Sequence, residues 1–224
     1  SAGRVSAAWL ATRRGRPQSA LLVADLAPGG GRWSAGSLVA TAAGDELFAE
    51  PEIAVDATGG TAVLAGTLDP AGASAGGRVA VRPAAGGPWR LSAPTRVASI
   101  TLTSGGVVWG AYLAGDGDRT RPMVSRLSGS SWTRPVPAGP AGRIIGGPVA
   151  AADAAGRPVV WWLLRGGPGG DRWQAAWRGS GGWSSPASLG RTSGGIAISA
   201  AGGRGLAVWV SSGAGGRVTA GRLR

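Results

Sequence analysis

The sequence predicts an all-β protein, a β-propeller of five blades with four antiparallel strands each and imperfect terminal blades. Three observations predict it. The 43 Gly and 15 Pro of the 224 residues sit between short Val/Ile/Leu/Trp runs, the punctuation of brief strands joined by tight turns. A Trp phrase returns as GRWSAGSL (Trp33), GPWRLSAP (Trp89), SSWTRPVP (Trp132) and GGWSSPASL (Trp183), at spacings of 56, 43 and 51. A second phrase falls between its copies: GRVSAAWL (Trp9), GGTAVLAGTL with Gly66 at the Trp place, SGGVVWGAYL (Trp109), GRPVVWWLL (Trp162) and GRGLAVWV (Trp209). A period near 50 residues containing four β-type runs is the sequence form of radially repeated sheets, and no helical periodicity competes with it.

Within each period the first run is apolar: PEIAVD (51–56), ASITLT (98–103), GPVAAAD (147–153) and GIAIS (195–199). A Gly-containing turn follows, as in DATGG (56–60) and DAAGR (153–157), a strong hairpin signal because Asp and Gly both favour tight reversals. The second run is the second Trp phrase. The third alternates, as in SALLVADL, GRVAVRP, RPMVSRL, DRWQAAW and GRVTAGRL, and the fourth begins at the first Trp. The second and third runs occur five times but the first and fourth only four, so the opening copy lacks its first strand and the closing copy its last. One propeller domain over 1–224 is expected, with repeats at roughly 1–40, 41–96, 97–140, 141–190 and 191–224.

Composition narrows the chemistry. With no Cys and no His there is no thiol nucleophile, no imidazole base, no disulfide and no nitrogen–sulfur ligand set for zinc, haem or iron–sulfur, so neither a cofactor nor a metal is expected. Carboxylates, one Tyr and unactivated hydroxyls remain. The longest compact apolar run, Pro158 to Leu164, is far short of the roughly 18 residues of a membrane helix, so no membrane span is expected. The formal charge of +12 favours polyanions such as acidic glycans or wall polymers. All 23 basic residues are Arg, which fits the codon bias of a GC-rich genome. They are dispersed, the densest cluster being Arg13, Arg14 and Arg16, so a nucleic-acid partner is not expected.

The order Pro148 to Trp162 (PVAAADAAGRPVVWW) followed by Trp183 to Leu189 (WSSPASL) resembles the repeats of secreted bacterial sialidase-type and lectin-like β-propellers. The resemblance spans almost the whole chain and implies a secreted protein. In the sialidase family an S-x-D-x-G-x-T-W turn, the Asp box, precedes the fourth strand. Here SGSSW (128–132) and GSGGW (179–183) keep Gly, Ser and Trp without the Asp, which weakens the hydrolytic activity the resemblance would otherwise imply.

Recurring Trp are expected to pack between blades, where flat rings fill a wedge. Trp161, Trp173 and Trp177 stand outside the repeat pattern, and in DRWQAAW the spacing of Trp173 and Trp177 places both on one strand face. With Arg165, Arg172 and Arg178 nearby, they form the expected ligand platform. A weaker constellation joins Tyr112, Glu50 and Arg pairs as a sialidase-like centre, with Asp116, Asp118, Glu46 and Glu52 as further acids. Asp116-Gly117-Asp118 or Asp45-Glu46 would supply only part of a Ca²⁺ shell. The expected function is therefore a non-catalytic, lectin-like module for a glycan or acidic cell-surface polymer. The alternatives are a protein-interaction scaffold or targeting tip among other protein subunits of a larger secreted assembly, such as a toxin particle, and a degenerate sialidase-like glycosidase.

Overall fold

The computed structural model describes residues 4–12, 19–42, 47–56, 58–69, 71–83, 86–153, 155–166, 170–191, 196–201, 204–211 and 217–223, with side chains described as far as residue 188. The fold is all-β, in five successive antiparallel sheets. The first holds β1 (Val5–Thr12), β2 (Ser19–Leu26) and β3 (Ser37–Thr41). The second holds β4 (Leu47–Val55), β5 (Thr61–Leu68), β6 (Ser74–Arg82) and β7 (Arg90–Leu91). The third holds β8 (Ser99–Leu102), β9 (Val108–Ala114), β10 (Arg121–Ser128), β11 (Ser131–Trp132) and β12 (Val136–Pro137). The fourth holds β13 (Ile144–Ala152), β14 (Pro158–Leu164), β15 (Arg172–Gly179), β16 (Gly182–Trp183) and β17 (Ala187–Arg191), and the fifth β18 (Ile196–Ala201), β19 (Arg204–Ser211) and β20 (Arg217–Leu223).

Among the described residues the first and last sheets have three strands each. In the third and fourth sheets the outermost strand is broken into two short pieces, β11 with β12 and β16 with β17, each pairing with the same neighbour. The chain falls into two compact units, Ser1–Val108 with Arg126–Thr133, and Trp109–Ser125 with Arg134–Arg224; the division runs through the third sheet rather than between repeats.

The hairpin turns form as their residues dictate. Asp56 Oδ1 accepts from the Thr58 and Gly60 N–H groups, and Asp69 Oδ1 from Ala71 and Ala73. Asp153 Oδ1 does the same for Ala155 and Arg157, at 2.9 and 2.8 Å, while Arg157 pairs with its other oxygen at 2.6 Å. Asp153 is buried, so Asp153→Ala leaves backbone donors unsatisfied and is expected to cost about 1–3 kcal/mol, read from chemical denaturation.

Central strands are covered on both faces, which explains their unbroken apolar runs. In the first unit, β5 sends Val63 and Ala65 into a core with Leu21, Val23 and Phe48, and Ala62 and Leu64 into a second with Val79, Val97, Ile100 and Val108. In the second unit, β14 sends Val160 and Trp162 toward Ala111, Val124 and Ala138, and Val159 and Trp161 toward Trp173 and Ala175.

The first Trp phrase marks one structural place. Trp33, Trp132 and Trp183 stand opposite Leu26, Leu127 and Arg178, the residues at or near the end of each third strand, and Trp89 lies under the Arg82 guanidinium at 4.7 Å. Trp89, Trp132 and Trp183 pack against their cores, whereas Trp33 stays half exposed. The hydroxyl residue after the Trp explains the rest of the phrase. Ser34, Thr133 and Ser184 each donate a backbone N–H to the carbonyl of Asp25, Arg126 and Trp177, and accept that same residue's N–H on the side-chain oxygen. The ladder is thereby closed where the edge strand turns away.

The second phrase does not mark one place. Trp109 lies six residues beyond the turn residue Thr103 and Trp162 nine beyond its counterpart Asp153, so the two project from opposite faces of their strands. The expectation of a shared packing position for them is corrected accordingly. The side chain of Trp209 lies outside the described residues.

Candidate functional site

The acids are mostly spoken for. Asp25 is held by Arg82, Asp118 by Arg143 at 3.3 Å, Asp171 by the Gly166 N–H, and three further Asp by their own turns. Asp45 and Glu46 lie outside the described residues. Among the described residues no group of three or more possible metal-ligating side chains occurs. Glu50 is exposed and makes no side-chain bond to a described residue, and the same is true of Arg96.

Glu50 and Arg96 line one cleft of about 900 Å³ in the first unit, within the size range of small-molecule sites. Leu64, Thr67, Leu68, Ser74 and Thr95 complete much of its wall. The cleft exists because the repeat loses a side chain there. Gly66 lies ten residues beyond the turn residue Asp56, and at that step the third and fourth sheets carry Leu113 and Leu163. Gly66 pairs with Gly77 on β6, and Gly76 beside it has φ +108, with the Thr95 carbonyl oxygen 2.7 Å from where a Cβ would stand. This bare patch lets the segment leaving the second sheet cross closely, sealed by a two-way bond between Gly77 and Thr95 at 2.7 and 2.8 Å.

The opposite wall is a β-bulge. The β4–β5 register slips between Ala49, paired with Gly66, and Glu52, paired with Leu64. Glu50 lies in the slip at φ +43, the single non-glycine residue of positive φ among those described. A side chain in that region costs about 1–2 kcal/mol, and bulges of this kind re-aim side chains. Behind it, Glu52 accepts a hydrogen bond from Ser99 Oγ at 2.9 Å and from the Ile100 N–H at 3.3 Å to each oxygen. Burial pushes the Glu52 carboxyl above its ordinary value, against the lowering pull of the Ser99 and Ile100 bonds.

The six residues expected as a platform are not brought together as an exposed surface. Trp161 and Trp173 are 0% and 4% exposed and fill the core between β14 and β15; Trp177 alone of the three Trp is exposed, at 37%. Trp173 and Trp177 do share a face, opposite Leu163 and Val159, and Trp161 does point away from Trp162. Arg165 and Arg172 are exposed at strand ends, while Arg178 is half-buried, its guanidinium 5.3 Å from the Trp109 ring, which meets Trp183 edge-on at 6.3 Å. The physical reason is the burial of β14 on both sides, so irregular Trp there fill space. Tyr112 lies on β9, in the second unit, and Glu50 on β4, in the first. No Trp lines the cleft. The signal for the cleft was the one repeat copy with Gly66 in place of a large residue.

The sequence matches no protein-family model and no curated protein. Solved structures do resemble it. A Dyadobacter fermentans protein titled as being of unknown function superposes with TM-score 0.64 at 15% identity, over 99% of this chain and 75% of that one. A polysaccharide lyase gives 0.61 at 11% identity, over 98% and 55%. An exo-β-1,3-galactanase from Phanerochaete chrysosporium, solved with β-1,3-galactotriose, gives 0.50 at 12% identity, over 98% and 58%. The chain thus spans little more than half the length of the last two. At such identities the likeness speaks for architecture alone, and the architecture is an all-β fold of propeller type.

Proposed function

We propose that the five sheets are the blades of one secreted propeller that serves as a non-catalytic, lectin-like module, holding a glycan or acidic cell-surface polymer in the Glu50–Arg96 cleft. One observation carries the reading: the missing repeat side chain at Gly66, the strained bulge at Glu50 and two opposite charges with no ion-pair partner among the described residues all line a single cleft. Departures from a repeat's own rules gather where a ligand binds. Arg96 supplies donors for an anionic or hydroxyl oxygen, and Glu50 accepts from sugar hydroxyls. The +12 charge, with most described acids already engaged internally, steers acidic polymers toward the surface. Carbohydrate-active proteins among the structures of like architecture add support.

A glycan and polysaccharide array tests this. The wild-type protein is expected to retain a defined set of chains, and Glu50→Gln and Arg96→Ala each to weaken retention by about tenfold or more with unchanged thermal midpoints. Silence across the array overturns the reading. Shortened or unsaturated products in the eluate make the site catalytic instead. Retention abolished by Trp177→Ala moves the site to the outer part of the fourth sheet, and retention that collapses at physiological salt regardless of Arg96 reduces it to nonspecific charge.

A further inference from the structure

Glu52 joins the two walls of the cleft. It stands two residues beyond Glu50 on β4, and its partners Ser99 and Ile100 open β8 directly after Pro94–Ala98, the segment that forms the opposite wall. A carboxylate accepting such bonds holds them about twice as firmly as a neutral acid does. Its surroundings leave it isolated as a titrating group. Of the strands packed against β4, β1, β5 and β8 contain no titratable residue, and β2 contains only Asp25, which Arg82 holds. Glu50 on β4 itself and Arg96 on the adjoining segment are the other nearby charges, and neither bonds to Glu52.

We infer that Glu52 is a positioning residue for the cleft: its carboxylate draws the walls together, and its protonation lets them part, so that ligand is held while Glu52 is ionised and released once acid protonates it, with the fold intact. The ligand half of this rests on the cleft being the binding site. Stability and cleft order are expected to move in opposite directions. Burial raises the folded-state carboxyl above its unfolded value, so the stability gained by protonating Glu52 is present below the unfolded value and is lost as pH rises through the folded one. Acid therefore favours the fold while it slackens the clip, a signature that plain structural support would not give.

Hydrogen exchange on the unliganded protein tests it, with rates corrected for intrinsic pH dependence. In the wild type, amides of residues 95–100 are expected to exchange about fivefold faster at the acid end of a pH series than near pH 7. Glu52→Gln, which mimics the protonated acid, is expected to exchange fast at both and to unfold at a higher midpoint than wild type near neutral pH. Ser99→Ala provides a second variant with loosened walls should Glu52→Gln not fold. Unchanged exchange over 95–100 with both pH and substitution, or a neutral-pH midpoint lowered by Glu52→Gln, overturns the inference. The readout needs no ligand, so a silent glycan array removes the binding proposal while exchange alone judges Glu52.

Discussion

Trp161→Ala is expected to lower stability by about 3–5 kcal/mol, a loss comparable to much of the margin that keeps a domain folded. The ring is wholly buried between β14 and β15, among Val159, Trp173 and Ala175, and no solvent-facing atom softens the cavity its removal would leave. Its indole N–H is buried without an acceptor among the described residues. Trp161→Phe should therefore cost much less, because the smaller cavity is offset by relief of an unsatisfied donor worth about 1–3 kcal/mol. Trp177→Ala, at an exposed place on the same face, should fall within about 1 kcal/mol of wild type. Urea midpoints for the three variants check this ordering. A Trp161→Ala protein as stable as its parent would show that this face of the fourth sheet is not a core.

The second large effect belongs to Asp25. Its carboxylate meets Arg82 Nη2 at 2.9 and 2.8 Å, and Arg82 also donates to Thr61 Oγ1 at 3.2 Å. The Arg82 side chain is 5% exposed and that of Asp25 15%, so the pair bridges the first and second sheets away from water. Breaking such a pair by removing one partner strands a buried charge, and Asp25→Ala is expected to cost about 3–5 kcal/mol. The double change Asp25→Ala with Arg82→Met should recover most of that loss, since two apolar groups replace a desolvated pair. Salt should move the Asp25→Ala effect little, unlike an exposed pair such as Asp118 with Arg143. A double variant no more stable than Asp25→Ala would show that the pair contributes through packing rather than through its charges.

How far the sequence foretold the molecule differs from element to element. Strand order and hairpin turns were legible because Asp–Gly turns and alternating apolar residues act locally. The broken outer strands were not, since two-residue pieces such as Ser131–Trp132 leave no periodicity to read. Trp161 and Trp173 misled because an irregular Trp looks the same whether it fills a core or awaits a ligand; only burial distinguishes them. Glu50 and Arg96 lie far apart along the chain, and their meeting depends on a register slip at Ala49/Glu52 and a close backbone crossing at Gly76. Both are properties of paired strands rather than of any one segment. Gly66 was visible as a gap in the Trp phrase, yet a gap has no chemistry until its neighbours are known.

The paired bonds that Ser34, Thr133 and Ser184 make to the strand beside them have a consequence for how such a protein arises. In the first, third and fourth sheets the residues that finish the margin lie within the same repeat copy, so a duplicated stretch of about 50 residues would bring its fastening along. A copy that fastens its own margin leaves its remaining positions free to change one at a time without loosening its neighbours.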